Sequence, residues 1–313
     1  MKNAIVLGGS GHIGSYFVPK LVEMGYAVTA VSRSMRPAYT ADDPAWERVW
    51  RMNYARDDLV SLEAALRADR PEVICDTLCY RPEQAKALVE MIGRIEGYAP
   101  HLIHIGSTWV FAEKLFVPVD ENHVRNDTSE YGVNKTEIEA YLHAATREGK
   151  IRATVLHPGH VSGRGWVPIN PQGNGDMGVF EAIRDGRPIL LPDDGSATLH
   201  HVHSADIAGL MAACIRQPEK SVGESFNAVS PQAMSERGFA EWLYRHYGHT
   251  PKIDYLPMEE FCRHISPDDV EDSREHARHS TLCSMEKARK VLGFEPKWTS
   301  QDTILDALDS LGL

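Results

Sequence analysis

The sequence predicts an α/β protein: a doubly wound parallel sheet with a smaller C-terminal lobe. Three observations lead there. Strand-like and helix-like segments alternate through the first half of the chain, the pattern of a parallel sheet covered on both faces. A glycine-rich turn, Gly8-Gly9-Ser10-Gly11-His12-Ile13-Gly14, joins the first strand to the first helix. After His157 the alternation loosens into a Gly- and Pro-rich stretch over 159–176.

The elements follow in order. Residues 2–7 form a short apolar strand. Residues 13–24 place Ile13, Phe17, Leu21 and Met24 at helical spacing and stop at Gly25. Strands follow at 27–31 and 49–52. Leu59, Leu62 and Leu66 give a helix over 59–66. Pro71 introduces a strand over 73–78, which places Cys75 and Cys79 on one face. A helix is predicted over 82–92, a strand over 102–105, a long helix over 130–146 ended by Gly149, and a strand over 152–156. Right-handed crossovers between parallel strands then give the doubly wound sheet. Beyond the loop come a helix over 177–185, extended segments at 188–191 and 202–203, and a helix from Ala205. Two terminal helices, 284–292 and 301–311, flank Gly293-Phe294-Glu295-Pro296.

Composition narrows the functional classes. The 313 residues are 42% hydrophobic and 25% charged, which excludes wholesale disorder and collagen-like repeats. With 33 basic and 44 acidic residues the formal charge is −11, against a nucleic-acid binder, and no basic stripe is present. No run approaches the roughly 18 apolar residues of a membrane span. Cys75, Cys79, Cys214, Cys262 and Cys283 are scattered, an odd number without a C-x-x-C pair. That reads as reduced thiols and a cytoplasmic protein without a signal peptide.

The glycine turn carries the first chemistry. Gly8 permits a tight turn, Gly11 lets backbone approach a pyrophosphate, and Gly14 allows the helix to pack on the strand. The helix N-terminus then offers N–H groups to the phosphates. A Rossmann-like dinucleotide site is expected. The second strand ends in Ser32-Arg33-Ser34 with no acid, which favours NADP over NAD because Arg33 can pair with a 2′-phosphate. His12, Ile13, Asn53, Leu78 and His157 complete the expected cofactor contacts.

Tyr131 and Lys135 sit one helical turn apart on the same face. An ammonium beside the phenol should lower its pKa and suit it to exchange a proton with a substrate hydroxyl. Ser107, just past the strand at 102–105, could polarise the same substrate oxygen. Its bland alternative is a turn hydroxyl capping local backbone.

These pieces together resemble the extended short-chain dehydrogenase/reductases, the NAD(P)-dependent epimerase/dehydratase family. The matching segments are Gly8-x-x-Gly11-x-x-Gly14, 105–111 with Ser107, and Tyr131-x-x-x-Lys135. His203-Ser204-Ala205-Asp206 and 287–296 follow in the family's order. The resemblance implies that Ser107, Tyr131 and Lys135 form the catalytic triad, and that the protein dimerises through the Tyr131 helix. It also implies a small substrate lobe, so the expected division is a dinucleotide domain over 1–165, rejoined at 198–230, with the substrate lobe from 166–197 and 231–313. Thr108 and Trp109 stand where dehydratases of the family carry an Asp-Glu pair, which disfavours elimination. Leu199 stands where nucleotide-sugar epimerases often carry a diphosphate-binding Arg, and Arg278 where a second is often found.

Fifteen histidines are present. His201 and His203 share a strand face, but no matching carboxylate or thiol set accompanies them, so no metal is expected. Thr108, His160, His201 and Arg278 are the candidate substrate contacts. The reading is an oxidoreductase or epimerase acting by hydride transfer on a small carbohydrate-like substrate. The alternatives are a dehydratase or decarboxylase of the same family and a non-catalytic NADP-binding sensor or scaffold.

Overall fold

The computed structural model describes residues 2–34, 36–112, 114 and 116–313. The chain begins β1 (Lys2–Leu7), α1 (His12–Glu23), β2 (Tyr26–Ser32), β3 (Val49–Asn53), α2 (Leu59–Asp69), β4 (Val73–Asp76) and α3 (Pro82–Gly93). It continues β5 (His101–Ile105), α4 (Glu130–Arg147), β6 (Arg152–Pro158), β7 (His160–Ser162), α5 (Met177–Arg184), β8 (Ile189–Pro192), β9 (Thr198–Leu199) and β10 (His201–His203). Then come α6 (Ser204–Arg216), α7 (Pro218–Ser221), β11 (Ser225–Ala228), β12 (Met234–Ser235), α8 (Glu236–His246) and β13 (Ile253–Leu256). The end is α9 (Met258–Phe261), α10 (Val270–His279), α11 (Glu286–Leu292) and α12 (Ser300–Leu311).

Seven strands form one parallel sheet in the order β11-β6-β5-β4-β1-β2-β3. The order reverses at β1 and β4, so the crevice beyond their carboxyl ends is where such a sheet binds ligands. Side-chain alternation divides the sheet's apolar residues between two cores. Val6, Cys75, Ile103 and Leu156 face α1, α6 and α11. Ile5, Leu7, Ile74 and Val155 face α2, α3 and α4. Cys79 joins the second core and Cys75 the first, because β4 ends at Asp76 and the chain turns there. The two thiols therefore do not share a strand face as expected.

A third core fills the lobe with Phe180, Leu191, Leu199, Phe239, Leu243, Ile304 and Leu308. Cys283, Met285, Ala288 and Leu292, expected in the lobe, instead pack on the large sheet against α6. Among the described residues no helix is long and apolar enough to cross a membrane.

Candidate active site

The glycine turn is built as its spacing predicts. Gly8 and Gly9 donate to Val31 O at 2.9 and 3.1 Å, and Gly11 donates to Gly8 O at 2.9 Å. Gly8 has φ +90°, and a Cβ there would lie 2.1 Å from Thr77 Oγ1. A Cβ on Gly14 would lie 2.2 Å from Gly8 O. α1 starts at Gly11 without a side-chain cap, so its first N–H groups remain for a ligand oxygen.

A cavity of about 340 Å³ opens beside this turn. Gly11, His12, Ile13 and Leu78 line it together with Ser107, Tyr131 and Lys135. The structure thus brings the turn and all three candidate catalytic residues to one cavity. The bare glycine cradle, which a Cβ at Gly8 or Gly14 would fill, fits a phosphate-bearing dinucleotide.

Each candidate is held by its element. Ser107 follows β5, and its hydroxyl accepts from Trp109 N at 3.1 Å, so it does cap a local turn. It also hydrogen-bonds the Tyr131 hydroxyl. The Tyr131 ring is 37% exposed at the cavity mouth, while its hydroxyl lies inward beside Ser107. Burial pushes the phenol up to about 12, and the Ser107 hydrogen bond opposes that. Lys135 Nζ donates to Cys79 O at 2.9 Å and Ile105 O at 2.8 Å and lies 5.7 Å from the Tyr131 ring centre. Burial lowers it to about 8. The expected depression of the phenol by Lys135 is therefore not what sets its direction: desolvation raises it, and Ser107 is the group that pulls it down.

The start of α4 is fixed by a buried acid. Ser129 Oγ caps Gly132 N at 3.1 Å and donates to Asp127. A Cβ on Gly132 would fall 1.8 Å from Asp127 Oδ2. Burial raises Asp127, but the Ser129 hydrogen bonds and His279 hold it below the usual carboxylate range. On the far side, Arg56 donates to Asp76 Oδ2 from Nε at 3.1 Å and Nη2 at 2.8 Å, and Asp76 Oδ1 accepts from Leu78 N at 3.0 Å. This buried ion pair shapes the turn that presents Leu78 to the cavity.

Several expected contacts lie elsewhere. His157 shares the β6 face of Ala153 and Val155, so it points towards α4, meets Glu139 Oε2 at 3.1 Å and does not line the cavity. Thr108 is buried, its hydroxyl donates to Pro158 O at 3.2 Å, and it does not line the cavity. His160 accepts His200 N at 3.0 Å, and His201 Nε2 is 2.9 Å from Ile169 O. Both rings are buried outside the cavity wall, with His276 5.0 Å from His160. Arg278 pairs with Asp127 at 3.3 Å and with Glu275, and donates to Thr128, so it braces α4 against α10. Ser32 bonds Ser10 Oγ at 2.7 Å, and Asn53, with its amide turned to satisfy both, donates to Ser32 O and Arg33 O. These two shape the cofactor turn, and Arg33 is exposed beside it.

Sequence reasoning missed Thr77, Tyr80 and Arg36 in the cavity wall. Thr77 and Tyr80 follow β4 and Arg36 follows β2. The rule that ligands sit beyond strand carboxyl ends was the available signal. Tyr80 adds a ring 4.7 Å from Lys135 Nζ. Among the described residues no three His, Cys, Asp or Glu side chains converge as metal ligands. His203 instead accepts Ala205 N at the start of α6 and stacks on Trp298.

Comparison with known proteins places this geometry. A model of the NAD dependent epimerase/dehydratase family matches residues 4–228. The 2′-dehydrokanamycin reductase of Streptomyces kanamyceticus is 25% identical over 255 residues, 82% of this chain and 69% of its own. The chloroplast stem-loop binding protein of 41 kDa b of Arabidopsis thaliana is 22% identical over 98% of this chain and 78% of its own. The solved UDP-glucuronic acid 4-epimerase of Bacillus cereus, in complex with UDP-glucuronic acid and NAD, is 18% identical. It covers 99% of each chain with a TM-score of 0.74, which is a shared fold.

Proposed function

The chain belongs to the NAD dependent epimerase/dehydratase family, and on that premise we propose that it is an oxidoreductase or epimerase acting at a secondary alcohol or ketone of a small carbohydrate-like substrate. The observation that carries this reading is that Ser107, Tyr131 and Lys135 line the same cavity as the glycine turn. A nicotinamide dinucleotide bound there would supply or take the hydride. Gly11, His12 and Ile13 would hold its phosphates. Tyr131 Oη would exchange the proton of the substrate hydroxyl, with Ser107 polarising the same oxygen. Lys135, pinned by two carbonyls, would hold a ribose and keep positive charge near the phenol.

The substrate is proposed to lack a nucleotide. Leu199 is buried in the lobe core and Arg278 is committed to Asp127 and Glu275, so neither position offers a cation to a diphosphate. Elimination is disfavoured, since the Thr108 hydroxyl is used by Pro158 O and Trp109 stacks on His279. A scaffold role, suggested by the name of the Arabidopsis relative, fits poorly with a formal charge of −11 and an intact triad. NADP is favoured by Arg33 and Arg36 beyond β2, although the Bacillus cereus structure holds NAD. A homodimer through α4 belongs to the same reading.

The test is turnover on panels of free sugars, polyols and UDP-sugars with either cofactor. Tyr131→Phe should lower turnover at least a hundredfold while cofactor affinity stays within threefold. Unchanged turnover in that variant, or turnover confined to UDP-sugars, overturns the corresponding part. Nicotinamide that co-purifies with the protein would select the epimerase over the dehydrogenase.

A further inference from the structure

A second cavity, of about 260 Å³, lies on the lobe and takes no part in the chemistry above. Its walls are the turn after β8 (Asp193, Asp194), the first residue of α8 (Glu236) and the C-terminal end of α10 (Ala277, Ser280). Among the described residues no lysine or arginine lines it, although the nearby Arg237 acts on Asp194.

Glu236 is the unusual member. It is 1% exposed, and its Oε1 has no hydrogen-bond partner. Asp193 and Asp194 each use one carboxylate oxygen locally, towards Met258 N at 3.0 Å and Ser196 N at 3.1 Å. Burial and these two charges raise the Glu236 carboxyl to about 8. Among the described residues three non-glycines adopt a left-handed φ, and two of them, Asp193 (50°) and Ser280 (31°), line this cavity. Such backbone is held only where surrounding structure enforces it.

A buried carboxyl without a partner is costly, and nearby carboxylates raise the cost of ionising it. A positive ligand would relieve both. A metal ion needs several ligand atoms at short, fixed distance, and no three acidic, histidine or cysteine side chains here are arranged as such a set. An ammonium needs acceptors at ordinary hydrogen-bond distance, with less strict geometry.

We propose that this cavity binds the ammonium group of a small primary amine, held by Glu236, Asp193 and Asp194. At pH 7 the entering R-NH3+ meets a protonated Glu236. Glu236 gives its proton to the buffer and pairs as a carboxylate, so up to one proton is released per amine bound. The amine belongs either to a carbohydrate or to a separate effector. The site stands next to the catalytic one through α10, whose His276 and His279 pack on Trp109, itself 5.9 Å from the Tyr131 ring.

The experiment is calorimetric titration of the full chain with glucosamine and with 1,4-diaminobutane, in two buffers of different ionisation enthalpy. Glucose and magnesium chloride are the controls. The expected result is that an amine binds at least tenfold tighter than glucose, with buffer-dependent heat showing proton release. Glu236→Gln should weaken that binding at least tenfold and abolish the release. Asp194→Asn, at an exposed position, should weaken it severalfold even if the first variant is unstable. Preference for glucosamine supports a carbohydrate amine, and preference for the diamine supports an effector. The proposal fails if neither amine outbinds glucose, if magnesium binds in their place, or if both variants bind as the parent does.

Discussion

Acidification from pH 7 to pH 5 probes how the histidines are held. His12, His101, His200 and His201 are buried, and burial is the main cause lowering each from 6.5 to about 4. Between those values each is neutral in the fold and protonated in the unfolded chain. The unfolded state then binds more protons, so stability falls as pH drops through 6.5 towards 4. Each histidine removes roughly 2 kcal/mol between pH 7 and pH 5, about 7 kcal/mol for the four together. Glu236 acts oppositely. Its carboxyl, raised to about 8, keeps its proton in the fold, which adds roughly 2–3 kcal/mol over the same interval. For these five groups the net loss is on the order of 5 kcal/mol, comparable with the whole stability of many proteins, and His104 and His160, which burial holds well below 6.5, add to it. Urea titrations followed by circular dichroism at pH 7, 6 and 5 measure it. His101→Gln, which keeps a donor for Thr154, should remove about 2 kcal/mol of the pH-dependent loss. Stability that is flat or rising towards pH 5, or an unchanged pH slope in His101→Gln, refutes the reasoning.

Other perturbations follow from the same contacts. Arg56→Met leaves Asp76 buried without its partner and should cost about 3–5 kcal/mol in urea unfolding. Gly132→Ala must displace Asp127 from its contacts with Arg278 and His279. It should cost about 1–3 kcal/mol, read as a fall in Tm. Gly14→Ala sets a methyl against Gly8 O and should weaken NADP or NAD binding at least tenfold in a fluorescence titration, without changing the circular dichroism spectrum.

The large sheet is legible in the sequence through β6 because its strands are short apolar runs separated by helices with a clear apolar stripe. The glycine turn, Ser107, Tyr131 and Lys135 are legible because local spacing alone sets their placing: loop ends of strands, and one turn of helix. His157 shows where that legibility stops. Alternation along β6 assigns it to the face of Ala153 and Val155, but the glutamate waiting there is on α4, eighteen positions earlier. Arg278 fails similarly, since its partners Asp127 and Thr128 are 150 residues away. The stretch from 231 to 283 gave little periodic signal. In α10 the buried residues are Ser273, His276 and His279, so its inward face is polar and no apolar stripe marks it.

The path of the chain between sheet and lobe has a mechanical consequence. It leaves the large-sheet core after Val161, returns at Val202 and leaves again after Val229. It returns at Cys283 and leaves after Phe294 for Ile304 and Leu308 in the lobe. Two bodies joined by so many covalent threads cannot swing apart on a single hinge. Nor does a stop codon after residue 228 release a self-sufficient sheet, since Met285, Ala288 and Leu292 would be missing from its core. Sheet and lobe should therefore melt as one cooperative unit. Any opening of the cleft must bend several chain crossings together, a stiffer motion than that of a lobe hung on one linker.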